Sequence, residues 1–295
     1  MSISISDLVT VRAQHPEAVA EAAARRARRP FLGDSGRLMI VAADHTARGV
    51  LGVGGRRFAM ANRADLLDRL CRALSRPGVD GVLATADILE DLLLLGALEN
   101  KVVIGSMNRG GLAGAAFELD DRFTGHRPRD LQRLRFDAGK LLLRIDYSDE
   151  GSLSTMHATA RAVDAMAARR LPVFVEPFLS RRVDGRPRND LSAEAVTTSL
   201  TIASGLAGTS AYTWLKVPVT ADPDEMAQVM AATTLPAVLL GGDVGEDPAD
   251  QDAAYESWRK ALRLPTVRGL VVGRSLLYPV DGNVELAVDT AVGLL

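Results

Sequence analysis

Residues 211–219, Ala-Tyr-Thr-Trp-Leu-Lys-Val-Pro-Val, read as a short buried strand. One position does not fit. Lys216 sits near the C-terminal end of the run, where nothing apolar calls for an amine. Burying an ammonium without a partner is costly, so the group is either paired or lowered in pKa. A lysine with a lowered pKa is a nucleophilic amine, the kind that forms Schiff bases with carbonyl compounds. The other reading is a lysine that emerges at the strand end and reaches water.

Outward from this run, the chain alternates from Arg37 onward. The strand-like runs are Leu38–Ala43, Gly81–Thr85, Val102–Ser106, Lys140–Ile145, Pro172–Pro177, Thr213–Val217, Ala237–Leu240 and Gly269–Gly273. Helical patterns separate them: Arg63–Leu74, Leu89–Leu98, Arg127–Arg135, Ser154–Ala168, Ala193–Ala207, Pro223–Ala232 and Ala249–Leu262. Continuous apolar strands between helices imply a parallel sheet covered on both faces. Eight such units in about 250 residues point to an α/β fold, the closed (β/α)8 TIM barrel. An open doubly wound sheet is the alternative, but no G-x-G-x-x-G follows the first strand. Residues 1–36 read as an N-terminal helical extension, with a helix from Pro16 to Arg29 stopped by Pro30, and residues 37–295 as the barrel. The cluster Arg25, Arg26, Arg28 and Arg29 reads as a solvated face or a subunit contact. Two long connections, Asn108–Arg127 and Ser180–Asp190, follow strands and would rise over the catalytic face.

The totals exclude several classes. The 295 residues are 47% hydrophobic and 24% charged, with a formal net charge of −2. That is ordinary globular composition without the basic footprint of a nucleic-acid binder. The single cysteine, Cys71, fits a small core residue in a reducing cytoplasm. No apolar run approaches a membrane span, and no basic-then-apolar leader opens the chain. A small-molecule ligand and a homo-oligomer are expected.

In a barrel, polar residues at strand C-termini are the candidates for chemistry. In order they are Asp44 and His45, Asp87, Asn108 and Arg109, Arg144 and Asp146, Glu176, Lys216, Gly241-Gly242-Asp243 and Gly273-Arg274-Ser275. Lys140, at the start of the fourth run, either faces outward or faces the interior and pairs with Asp44 or Glu176. In the second case it would lower the pKa of Lys216, and Asp44 or Glu176 could move protons. The glycines after the seventh and eighth runs, with Arg274, suit a phosphate, because glycine exposes backbone N–H groups and arginine can clamp an oxyanion. Otherwise they only permit tight turns. The four histidines, His15, His45, His126 and His157, are not at ligand spacing, so no metal is expected and His45 reads as a hydrogen-bonding residue beside the site.

Five motifs carry a resemblance. They are "AADHTARG" (42–49), "GKLLLRIDYSDEG" (139–151), "VFVEPF" (173–178), "WLKVPV" (214–219) and "GLVVGRSLLY" (269–278). In this order the chain resembles the class I, Schiff-base aldolases of the (β/α)8 superfamily over roughly residues 37–280. The closest resemblance is to the tagatose bisphosphate aldolase branch, related to deoxyribose-phosphate and archaeal fructose bisphosphate aldolases. It implies that Lys216 is the Schiff-base lysine. Lys140 and Asp44 would protonate and orient the substrate, and Glu176 would transfer protons around the carbinolamine and enamine. Gly241, Gly242, Gly273 and Arg274 would hold a sugar phosphate. No cofactor is then required. Arg144 and Ile145 stand where that branch has aromatics. The 106–125 stretch, "SMNRGGL…DDRFTG", is similar to a barrel aldolase-like family found in actinobacteria beside inositol-catabolism genes. That likeness implies a 5-dehydro-2-deoxygluconate 6-phosphate aldolase. A carboxylate on the substrate would account for Arg48, Arg109, Arg122 and Arg144, with His45 and Asn108 as further substrate contacts; otherwise these arginines pair with Asp120, Asp121 or Asp146. Two alternatives remain open: a ketose-bisphosphate or deoxyribose-phosphate type aldolase, or a barrel that binds a sugar phosphate and regulates.

Overall fold

Leu38, Ile40 and Ala42 belong to one buried cluster, and Met39, Val41 and Ala43 to another. This is the two-residue period of a strand buried on both faces. In the computed structural model, which describes residues 3–220, 222–242 and 247–295, the same sorting recurs along every strand of a closed sheet. The strands are β1 (Leu38–Ala42), β2 (Gly81–Ala84), β3 (Val102–Ser106), β4 (Ala138–Ile145), β5 (Val173–Val183), β6 (Arg186–Asn189), β7 (Thr213–Val217), β8 (Ala237–Leu240) and β9 (Val267–Val272). All except β6 pair in parallel in the order β1-β2-β3-β4-β5-β7-β8-β9, and β9 returns to β1. The fold is therefore a (β/α)8 TIM barrel.

Two concentric cores result. The inner one holds Ile40, Ile104, Ala138, Phe174, Trp214 and Val238 among others. The outer one lies between strands and helices. The helix Arg63–Ser75 shows how a helix joins it: Asn62 caps it by accepting from the Asp65 N–H at 3.2 Å, and Leu66, Leu67, Leu70 and Leu74 are buried. A register shift between β8 and β9 coincides with Gly269, whose φ is +136° and whose absent Cβ would strike the Leu38 carbonyl.

Two parts of the chain differ from the sequence reading. The N-terminal segment forms two short helices, Leu8–Gln14 and Ala18–Arg25, rather than one. Within its basic cluster, Arg26 is not part of a solvated face, while Arg25 and Arg28 are exposed. Arg26 is buried and donates to the carbonyls of Lys101 (2.9 Å) and Arg135 (2.5 Å). Arg28 pairs with Asp137 at 2.6 Å and Arg29 with Asp80. Those carboxylates precede β4 and β2, so the segment is stitched to the N-terminal end of the barrel. Phe31 completes the attachment, with its ring 5.6 Å from Trp214 and 6.2 Å from Phe174.

The second difference is residues 180–190, which are not a loop. β5 runs past Glu176 to Val183, turns at Asp184 (φ 51°) and Gly185 (φ 75°), and returns antiparallel as β6. Two consecutive positive φ values make the tight hairpin turn for which Asp-Gly is suited.

Candidate active site

Asp44, Ser106, Lys140, Glu176 and Lys216 each lie two residues beyond an inner-core residue, namely Ala42, Ile104, Ala138, Phe174 and Trp214. Side chains two apart on a strand share a face, so all five point into the barrel, one layer above its apolar filling. All five are buried, and Asp44 is completely so. Lys140 takes the inward of its two readings. Its Nζ lies 3.4 Å from Asp44 Oδ2 and contacts Glu176 Oε2. Lys216 Nζ donates to the other Glu176 oxygen, Oε1. One carboxylate thus bridges two lysines, one oxygen to each.

Burial and charge act on this trio in opposite senses. Burial lowers the Lys216 ammonium below its usual value; Glu176 pulls it back up, and the cations Arg109 and Arg274 push it down again. Lys140 is lowered further, by burial, then by Arg109 and Lys216, against the attraction of Glu176. Burial alone would raise the Glu176 carboxyl, but Lys140, Lys216 and Arg109 overcome it and hold the group well below the carboxylate range. The arrangement keeps an anion between two amines that lose protons more readily than free lysine.

A cavity of about 270 Å³ opens above this layer. Lys216 and Glu176 line it; Lys140 lies behind them. Gly241, Gly242, Gly273 and Arg274 form one wall, as expected of the ends of β8 and β9. Gly273 is required by close approach, since a Cβ there would collide with the Ala42 carbonyl and come within 3.3 Å of the His45 ring. Gly242 has φ +67°. Asp243 lies outside the described residues. His45 also lines the cavity. Burial, then the charges of Arg274 and Lys216, lowers its imidazole well below 6.5, so it is neutral. Its Nδ1 has no hydrogen-bond partner among the described residues.

Arg48 and Arg144 also line the cavity. Arg144 holds Asp121 with two hydrogen bonds, at 2.8 and 2.7 Å. Arg48 donates through Nε to the Gly111 carbonyl at 2.7 Å and stands 3.5 Å from Glu118. The 108–127 connection is thereby pinned to the rim. Burial and then the Arg144 charge lower the Arg48 guanidinium.

Some sequence candidates are not brought here. Asn108 is buried, but its amide is spent on the backbone, at 2.6 and 2.7 Å to Leu142 and 3.1 Å to the Asp121 carbonyl, and it does not line the cavity. Asp87 pairs with Arg63 outside the cavity. Arg122 is exposed and pairs with Asp120. Arg109 lines the cavity, yet its guanidinium is committed to Asp44 and Ser106.

A profile of the Cgl0159-like proteins matches residues 36–292. The chain belongs to the Cgl0159-like family. The crystal structure of Cgl0159 from Corynebacterium glutamicum shares 52% identity with TM-score 0.94, covering 99% of this chain and 97% of that one. The Cgl0159-like barrel also has the fold of class I aldolases. A Schiff base forming fructose-1,6-bisphosphate aldolase matches at 21% identity and TM-score 0.66, covering 94% of this chain and all of that one. An archaeal fructose-1,6-bisphosphate aldolase, solved with its catalytic lysine covalently bound to the carbinolamine intermediate, matches at 19% identity and TM-score 0.65, covering 94% and 97%. At these identities the likeness is one of fold. No curated protein matches the sequence.

Two contributors to the site of this Cgl0159-like protein were not identified from sequence. Ser106 joins the Asp44 cluster, and strand parity is the signal that could have found it. Asn189 reaches the cavity from β6, and the Asp184-Gly185 turn was the signal for that strand.

Proposed function

We propose that this Cgl0159-like protein is a class I aldolase, a carbon–carbon lyase that cleaves a phosphorylated keto-sugar acid through an imine on Lys216. The observation that carries the reading is Glu176 bridging Lys140 and Lys216, with only Lys216 of the two lysines open to the cavity. Glu176 takes a proton from the Lys216 ammonium, and the free amine adds to the substrate carbonyl carbon. Glu176 returns that proton to the carbinolamine hydroxyl, which leaves as water. The iminium accepts the electron pair of the breaking carbon–carbon bond, while the β-hydroxyl gives up its proton to a rim carboxylate and departs as an aldehyde. The same carboxylate returns that proton to the enamine carbon, and water hydrolyses the new iminium to release the ketone and the lysine. Lys140 supplies the second positive charge that keeps Glu176 ionised between steps.

The cations lining the cavity support the substrate class. Arg274 and the glycines suit a phosphate, and Arg48 suits a terminal carboxylate. 5-Dehydro-2-deoxygluconate 6-phosphate has both, and its cleavage yields dihydroxyacetone phosphate and malonate semialdehyde.

The test treats the protein with this compound, or with dihydroxyacetone phosphate, in the presence of borohydride, and locates the adduct by peptide mass spectrometry. The adduct is expected on Lys216, and both it and turnover are lost in Lys216→Met. Lys216→Arg is equally inactive, because a guanidinium stays protonated. An adduct on Lys140 would exchange the two lysines' roles. Cleavage without any adduct would defeat the imine route, and binding without cleavage would favour a regulatory barrel. Faster cleavage of a ketose bisphosphate or deoxyribose 5-phosphate would move the substrate assignment.

A further inference from the structure

Asp44 is held by one oxygen only. Its Oδ2 contacts Arg109, accepts from Ser106 Oγ at 3.2 Å, and lies 3.4 Å from Lys140 Nζ. Ser106 Oγ in turn accepts from Arg109 Nε at 3.1 Å, which closes a three-membered ring of contacts. Oδ1 of the same carboxylate is buried, has no hydrogen-bond partner among the described residues, and belongs to a side chain that lines the cavity. A buried carboxylate oxygen left without a donor carries a desolvation cost that a ligand donor would remove. Asp44 is also linked through Lys140 and Glu176 to the Lys216 amine and shares its inward-facing layer.

We propose that Arg109 and Ser106 are positioning residues, which fix Asp44 by Oδ2 so that Oδ1 receives the hydroxyl on the carbon next to the reacting carbonyl. The protein is thereby selective for α-hydroxyketones. This rests on imine formation at Lys216. It gives Arg109 a role other than direct contact with a substrate anion.

The experiment compares two ketone phosphates in borohydride trapping: dihydroxyacetone phosphate, which has the α-hydroxyl, and 2-oxopropyl phosphate, which lacks it. For the unaltered protein, half-maximal trapping is expected at about 10- to 100-fold lower concentration of dihydroxyacetone phosphate, the range of one hydrogen bond to a buried charged group. Arg109→Met should lose most of that preference, Ser106→Ala part of it, and Arg109→Lys should keep an intermediate share, since lysine restores the charge but not the bond to Ser106. Each variant's melting transition is recorded, and Ser106→Ala carries the comparison if Arg109→Met does not fold. This cycle isolates the coupling between the hydroxyl and Arg109, which a general loss of structure would not imitate. Full discrimination retained in Ser106→Ala and in the folded Arg109 variants would overturn the proposal. Trapping of neither ketone by the unaltered protein would instead remove the imine reading on which it rests.

Discussion

Lys216 donates to Glu176 from the adjacent barrel strand, forty residues later in the chain. Neither side chain is exposed enough to be solvated in place of the other. Each therefore depends on its partner for both stability and protonation state.

Glu176→Gln should separate these two dependences. It leaves Lys140 and Lys216 facing a neutral amide, so Lys216 loses its counter-ion and Lys140 keeps only Asp44. A destabilisation of about 3–5 kcal/mol is expected, the usual result of breaking a buried pair from one side. Turnover should fall about 10²- to 10⁴-fold, the range of a lost general acid–base group. Denaturant unfolding and kcat measure the two effects. Lys140→Ala should be slowed but not inactive, because its contribution is electrostatic.

Arg274 and Arg48 should respond differently. Arg274→Ala should raise KM for any phosphorylated ketone, dihydroxyacetone phosphate included. Arg48→Ala should raise KM about 10-fold or more only for substrates with a terminal carboxylate, since a lost charge-assisted contact is worth about 1.5–3 kcal/mol. In both, kcat should change less than KM, because the contacts are to groups that do not react. Equal KM changes for both substrate types in Arg48→Ala would dissociate Arg48 from the carboxylate.

Gly273→Ala should damage the phosphate wall and the fold together. The added methyl group would meet the Ala42 carbonyl, a backbone atom that cannot yield without moving β1, and would press on the His45 ring. A lower melting temperature and weaker binding of inorganic phosphate, read by calorimetry, are expected. Gly242→Ala, at φ +67° with nothing within 4 Å among the described residues, should cost chiefly backbone strain, about 1–2 kcal/mol.

Acid stability should carry the signature of His45. Its folded pKa is lowered well below the 6.5 of the free group. Between the two values the unfolded chain binds more protons, so stability rises with pH. The His45 contribution is complete above about pH 6.5 and is lost as pH falls toward the folded value. Glu176, also lowered in the folded state, adds a further loss below about pH 4.5. Guanidinium midpoints from pH 7.5 to 4.5 should decline, and His45→Asn should flatten the upper part of that decline. The His45 ring should not titrate between pH 6 and 7 by NMR.

The sequence by itself determined the barrel and named the amines and carboxylates that could face inward, leaving Lys140 and Lys216 each with an outward reading. Apolar runs alternating with amphipathic helices leave few ways to cover both faces of each strand. The two-residue period then decides which side Asp44, Lys140, Glu176 and Lys216 share once the inner side is known. Tertiary structure alone decided the pairings, because those depend on which strands are neighbours and on how far each side chain reaches. Glu176 holds two lysines because β5 lies between β4 and β7. Arg109, beyond β3, is taken by Asp44, beyond β1, with only β2 between them, and Asn108, its neighbour in sequence, is consumed by the backbone of β4. Arg26 reads as a surface charge until the chain folds beneath the barrel and buries it among carbonyls. Residue type and spacing report what a strand must bury, but a charge's partner is set by distance in space, which local pattern does not encode.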